Sequence, residues 1–189
     1  MSIHTREEVV QRIQSGMSLS ESDLSHADLS YSNLKGGDFA GAKFNNAQLQ
    51  NTNLSHANLK GADLENAFLF GSNLQNANLE GANLKGANLQ DTNLEGACLK
   101  GVDLSGISLF GANLDNANCE GAKFIKTKMK RASLMGTNLQ GADLSNAHCQ
   151  RAVLKNANLN QAKLHGTNLK YADLTDTNLD KADMKDCVE

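Results

Sequence analysis

The sequence predicts a solenoid, a rod made by stacking one short unit, and three regularities support this prediction. A large apolar residue occupies nearly every fifth position from Leu19 to Met184, which makes 34 consecutive repeats without a slip. A small residue lies two positions before it, and Gly or Asn often lies two positions after it. A five-residue period fits neither the 3.6-residue turn of an α-helix nor the two-residue alternation of a β-strand.

The repeating unit reads A-(D/N)-L-x-x, as in Ala62-Asp63-Leu64. The large residue and the small residue before it are both expected to face inward, because a small side chain can share the crowded interior with a larger one. The Asp or Asn between them and the two residues that follow are expected to face outward. Val102 and Ile107 are larger than the usual Ala, and they occupy this small position in neighbouring repeats.

The second residue after the large one is predicted to lie in a turn. It is Gly or Asn in most repeats and is never Val, Ile or Thr. Gly and Asn tolerate a positive φ angle, whereas β-branched residues do not. This bias indicates one turn in every repeat.

The motif and its unbroken run resemble the pentapeptide-repeat family over residues 17–187. The resemblance implies an all-β solenoid, a right-handed quadrilateral (four-sided) β-helix in which each repeat forms one side and four repeats form one coil. The 34 repeats would then make about 8.5 coils. At a spacing of about 4.8 Å between coils, the rod is roughly 40 Å long.

A short capping α-helix is predicted before the repeats, from about Arg6 to Ser15. Thr5 and Glu8 have the spacing of a capping box, and Gly16 can end the helix. The apolar side chains expected to cover the first coil are Val9, Val10 and Ile13. The predicted order along the chain is capping helix, β-helix and tail, over residues 1–16, 17–187 and 188–189.

No comparable helix is predicted at the C-terminal end, so the last coil is expected to expose apolar surface and free backbone groups. The residues at this end are Leu174, Leu179, Met184 and Val188. A two-fold homodimer, coil against coil, would cover them. Alternatively, the charges of Asp183, Lys185 and Asp186 keep this end monomeric.

One face of the predicted rod differs from the other three. Residues 20 apart stack in columns, and the face whose inward residues run from Leu29 to Leu169 carries a net charge of +3. Its outward positions include aromatic and basic residues, namely Phe68, Phe70, Phe110, Lys128, Lys130, Arg131 and Arg151. An apolar patch with a charged rim is typical of a docking surface for a protein partner. The alternative is that isolated surface aromatics have no function.

The sequence offers no constellation for catalysis, metal binding or a cofactor. The five His lie on different faces or at the N-terminus, and no two Cys form a C-x-x-C pair. A convex rod filled with Leu is also expected to lack the cleft that an active site needs. No secretory signal or membrane span is recognised, which favours a bacterial, cytoplasmic protein that is not an enzyme.

Two functions remain open. The first is a non-catalytic interaction or scaffold protein that docks an unidentified protein through one face. The alternative, implied by the resemblance, is a DNA-mimic inhibitor of a bacterial type II topoisomerase, of the kind that confers quinolone resistance. Mimicry requires an acidic face, and no face is more negative than −2. Direct nucleic-acid binding is not expected, because 18 basic residues face 21 acidic ones.

Overall fold

The computed structural model describes residues 5–188, which form one helix followed by a continuous stack of coils. Helix α1 spans Arg6–Gln14. From Asp23 onward, the Asp or Asn position of one coil forms a parallel bridge with the residue 20 positions later, as Asp23 does with Lys43. Each side contributes a single bridging residue rather than an extended strand. The expected coil of 20 residues, with four repeats per coil, is confirmed by these bridges.

The interior contains the two residue types that the pattern placed there. The large positions from Leu19 to Leu169 are all at most 2% exposed, and most of the intervening Ala side chains are fully buried. They form one continuous core that runs the length of the rod. Each buried Leu contributes on the order of 1.5–3 kcal/mol, so the core dominates the stability of the stack.

Every repeat ends in a tight turn. The second residue after the large one has a positive φ angle in each repeat from Glu21 to Asp186. The next residue donates its backbone N–H to the carbonyl of the large residue, as Ala62 does to Leu59 at 3.0 Å. A positive φ at the second central residue alone defines a type II turn, which explains the preference for Gly and Asn.

The outward Asp and Asn residues support these turns. Their Oδ1 atom accepts the backbone N–H two residues later, as Asp23 does from Ser25 at 3.1 Å. Many also bond along the axis: the Asn138 side chain donates to Asn118 at 3.3 Å, and Asn158 donates to Asn138 at 3.2 Å. Asp and Asn are therefore favoured at this position by a local bond that their outward direction alone did not predict.

Both ends of α1 are capped by hydrogen bonds. The Thr5 hydroxyl accepts from Glu8 N at 3.2 Å, and the Thr5 N–H donates to the Glu8 carboxylate at 3.0 Å. At the other end Gly16 has φ +69°, and Met17 N donates to Arg12 O at 2.9 Å. This pattern is a Schellman motif, which satisfies the last carbonyls and turns the chain into the first coil.

Helix α1 packs against the start of the rod. Val9 is fully buried in the common core, and Val10 and Ile13 are partly buried against it. Gly37 occupies a small position below the helix, where a Cβ atom would meet Ile13 Cδ1 at 2.8 Å and the Phe39 ring. The first coil therefore has a glycine where the helix requires space.

The backbone hydrogen bonds between coils are weakened at one junction of the stack. Between Leu19 and Val188, each side otherwise forms its full set of backbone hydrogen bonds to the neighbouring coils. Residues 81–89 and 100–108 are the exception, since six of these bonds are missing between them. Ordinary hydrogen-bond geometry is lost at the N–H groups of Gly81, Leu84, Gly86, Leu89, Asp103 and Ser108, although Asn88 and Ser108 still form a parallel bridge. We call this junction the seam.

Two oversized inward residues account for the seam. Val102 and Ile107 occupy the small positions on the same two sides, and both remain buried. We attribute the loosened axial bonds to their additional carbon atoms, which need more interior width than Ala does. Two hollows of about 320 and 300 Å³ open along the seam, one beside Gly86 and Gly106 and the other beside Asp103.

Replacing both residues, Val102→Ala with Ile107→Ala, should close the seam. The six amides should then exchange with solvent at least about tenfold more slowly, because they regain hydrogen bonds. Hydrogen-exchange mass spectrometry on peptides that cover 81–89 and 100–108 measures this change. The matched control is Ala142→Val with Ala147→Val, on the same two sides two coils later, which should raise exchange there. Equal exchange in the wild-type and double-Ala proteins would show that these residues do not cause the seam.

Candidate functional site

The face selected from the sequence forms a continuous surface in the structure. Its outward residues stack in register, as the bridges from Phe68 to Asn88, Ser108 and Lys128 show. The aromatic rings are exposed to solvent: Phe68 by 47%, Phe70 by 42% and Phe110 by 38%. We call this surface the aromatic-basic face, made of Phe68, Phe70, Phe110, Lys128, Lys130, Arg131 and Arg151.

The aromatic-basic face is divided into two zones along the rod. Phe68 and Phe70 lie on one coil, and Phe110 lies two coils further on, so Phe70 and Phe110 are separated by about 10 Å. The basic residues follow on the next two coils. Aromatic surface therefore lies toward the α1 end of the face, and positive charge lies toward the other end.

A shallow hollow marks the border between these zones. It has a volume of about 540 Å³. Its lining residues are Gln90, Ser108, Phe110, Lys128, Lys130, His148 and Gln150. The hollow is wide open to solvent and is not an enclosed cleft. The short Ser108 side chain lies among longer neighbours, which leaves a dip in an otherwise convex wall.

The basic zone has no acidic counterpart on its own face. The segments 126–131, 146–151 and 166–171 contain no Asp or Glu. Within residues 5–188, the basic members of the face form no ion pair. Some bases elsewhere on the rod are paired, as Lys60 is with Glu80 at 3.2 Å and Lys100 is with Glu120 at 3.1 Å. Others, such as Lys35 and Lys163, form no ion pair among the described residues, but they do not cluster as the bases of this zone do. Charge on this zone is thus available to a partner.

One corner of the face has bulky residues in turn positions. Arg131, Arg151 and Tyr171 follow one another on three consecutive coils with φ angles of 61°, 58° and 63°. Gly or Asn fills this position in most repeats, because other residues are strained there by about 1 kcal/mol or more. Bulky residues also occupy turn positions elsewhere on the rod, as Lys126 and Lys181 do, so what distinguishes this corner is its two stacked arginines.

Lys170 and Tyr171, which the sequence also places on this face, continue the basic zone into the next coil. The Lys170 ammonium lies 5.1 Å from the centre of the Tyr171 ring, and the Arg151 guanidinium lies 6.0 Å from it. Tyr171 is 72% exposed. Its position 20 residues after Arg151 was the available signal, since that spacing stacks the two side chains on one corner.

The neighbouring residues His148 and Cys149 do not form a metal or thiol site. No group of three His, Cys, Asp or Glu residues within 5–188 is arranged to hold a metal ion. His148 points outward beside Cys149, but burial raises the pKa of the Cys149 thiol to about 12, with a smaller contribution from Cys187. A protonated, buried thiol is neither a nucleophile nor a ready metal ligand.

The apolar residues predicted at the C-terminal end lie together there. Leu174, Leu179 and Met184 are only partly buried, unlike their counterparts in earlier coils, and Val188 is 48% exposed. No described residue covers the last coil. The structure therefore shows an apolar surface at the C-terminal end of the rod.

Comparison with known proteins identifies the repeat. A model of pentapeptide repeats matches in 8 copies over residues 15–46, 38–69, 69–106, 112–148 and 147–186. HetL, a pentapeptide repeat protein involved in heterocyst differentiation regulation in the cyanobacterium Nostoc sp. strain PCC 7120, is 34% identical. That match covers 90% of this chain and 78% of HetL, with a TM-score of 0.52. Comparison with curated proteins gave no match.

A second solved structure agrees in fold. QnrB1, a plasmid-mediated fluoroquinolone resistance protein, is 21% identical over 78% of this chain and 79% of its own, with a TM-score of 0.50. At this identity the likeness concerns the fold alone. Together these neighbours imply the right-handed quadrilateral β-helix that the sequence motif suggested.

Replacing the strained arginines with glycine should stabilise the fold. Arg131→Gly and Arg151→Gly should each raise the free energy of unfolding by about 0.5–1 kcal/mol, because Gly adopts a positive φ without strain. Gln161→Gly is the matched control, since Gln161 has φ 60° outside the face. Thermal or urea unfolding measures all three variants. Loss of stability in the arginine variants alone would mean that these side chains support the fold instead.

Proposed function

We propose that this chain, which belongs to the pentapeptide repeat family, is a non-catalytic interaction protein that docks a protein partner on its aromatic-basic face. Pentapeptide repeat proteins are generally non-catalytic. The structural neighbours of this chain suggest a role in protein interaction. The particular face and the docking role are our proposal.

The observation that carries this proposal is the coincidence of the exposed Phe110 with the unpaired Lys128 and Lys130 around one hollow, on a face that also exposes Phe68 and Phe70. Elsewhere the surface consists mainly of Asn, Gln and charges of both signs, several of which bond to their neighbours along the rod. Aromatic residues and Arg are the residue types most enriched in the energetically important centres of interfaces. The face therefore combines exposed aromatic rings with basic residues that form no ion pair within residues 5–188.

A cytoplasmic location is also part of the proposal. The Cys residues at 98, 119, 149 and 187 are all free thiols, which suits a reducing compartment. Among the described residues, no helix has the length and apolar character needed to cross a bilayer.

Docking should depend on the exposed rings. A photo-crosslinking amino acid at Phe70 or Phe110 should capture one predominant protein from the native host, and the same group at Gln140, on the opposite face, should not. With that partner purified, Phe70→Ser with Phe110→Ser should weaken binding by more than about tenfold, because buried aromatic anchors dominate interface energies. The melting temperature should be nearly unchanged, since both rings point outward.

The control for this pair is Lys100→Ser with Gln140→Ser, two outward substitutions on the opposite face. Titration calorimetry with the purified partner compares the three proteins. If the partner binds the double-Phe variant as tightly as the wild type, the aromatic-basic face is not its docking site.

We also propose that the exposed end at Leu174, Leu179, Met184 and Val188 forms a two-fold homodimer. The contact would pair free backbone groups and cover apolar side chains at once. Sedimentation at about 10–100 μM should give a mass that rises with concentration, because the contact area is small. Met184→Lys should yield a monomer at every concentration. A monomeric wild-type protein over this range would reject the dimer.

A further inference from the structure

We infer that the occupant of the aromatic-basic face is an acidic protein segment that places an apolar side chain in the hollow beside Phe110. This inference rests on the proposed docking function and names the chemistry of the partner. It follows from three features of the face: its uncompensated charge, the shape of its hollow and its strained corner.

The charge of the basic zone selects an anionic partner. Lys128, Lys130, Arg131 and Arg151 lie within two neighbouring coils and have no carboxylate within ion-pair distance in residues 5–188. Four like charges about 5–10 Å apart repel one another, since each pair lies within about one Debye length at physiological salt. A segment with several Asp or Glu residues would relieve this repulsion and gain charge-assisted hydrogen bonds.

The hollow selects an apolar side chain next to those charges. Its wall includes the Phe110 ring, and the long side chains of Lys128 and Lys130 border it. Lysines present aliphatic stems to such a depression while their ammonium groups remain in water. The site therefore fits an apolar residue flanked by carboxylates, not a purely anionic chain.

The corner adds two arginines at turn positions that Gly could occupy. Gly111 occupies this corner one coil before Arg131, so the fold accepts Gly at this column. Arg131 and Arg151 retain a positive φ and gain no intramolecular ion pair for that strain. Arg also binds carboxylates in a bidentate manner, which Lys cannot reproduce.

A protein segment fits this face better than a nucleic acid does. Nucleic-acid binding requires a broad positive surface, whereas this chain has a net charge of −3 and the other faces are each net negative. The basic zone is a narrow strip beside exposed Phe rings. An extended acidic segment matches such a strip.

Binding of defined probes tests the inference. The probe is a fluorescein-labelled peptide of Glu residues surrounding one Phe, measured by fluorescence anisotropy. One comparison peptide replaces Phe with Ser, a second replaces Glu with Lys, and the third probe is single-stranded oligo-dT. The Glu–Phe peptide should bind most tightly, and its affinity should fall as salt rises.

Charge reversal on the face provides the matched variants. Lys128→Glu with Lys130→Glu should weaken binding of the Glu–Phe peptide by more than about tenfold. Lys155→Glu with Lys163→Glu makes the same change in net charge off the face and should alter binding less than about twofold. Circular dichroism confirms that each variant remains folded.

Several outcomes would overturn the inference. No binding of the Glu–Phe peptide, equal weakening by both double variants, or equal affinity for the peptide without Phe would each do so. Tighter binding of oligo-dT, lost with Lys128→Glu and Lys130→Glu, would assign the face to nucleic acid. If crosslinking from Phe70 still captures a protein while the acidic peptide fails, the docking function stands and only the partner chemistry is wrong.

Discussion

The width of the coil interior is the constraint on which the rest of this structure depends. One large and one small residue per side must fill a fixed space, so that consecutive coils stay close enough for their backbone groups to bond. Short polar residues then hold the turns from outside. Because these requirements use only part of each repeat, the remaining outward positions are free to vary, and the aromatic-basic face lies at such positions.

The seam shows what this constraint is worth in energy. The extra carbon atoms of Val102 and Ile107, relative to Ala, contribute about 4 kcal/mol on burial. The six missing hydrogen bonds represent about 3–9 kcal/mol at about 0.5–1.5 kcal/mol each. The two quantities are similar, which explains why the protein tolerates an open junction without expelling either side chain from the core.

Most of the fold was predictable because its rules are local. The inward register, the turn in each repeat and the capping box of α1 all follow from residue type and spacing. The exposure of Phe70 and Phe110 followed from the same register. The sequence identified Val102 and Ile107 as oversized, but their effect depends on bond distances between coils. Likewise, the hollow beside Ser108 and the lack of ion pairs around Lys128 depend on side-chain contacts across coils, which no repeat pattern specifies. The partner depends on a surface outside this chain.

The seam is also the junction at which we expect the rod to separate into two cooperative blocks, since two of its four sides have lost their axial bonds. In a stacked-repeat protein, stability is transmitted only through neighbouring interfaces, so a weakened junction lets the two parts open independently. The block before the seam has the covering helix and Phe70, whereas the block after it has Phe110 and the basic zone. A partner in contact with both Phe70 and Phe110 would span the seam and hold the two blocks together. Binding and the mechanical continuity of the rod are then coupled, and any ligand that bridges the two blocks makes them open as one.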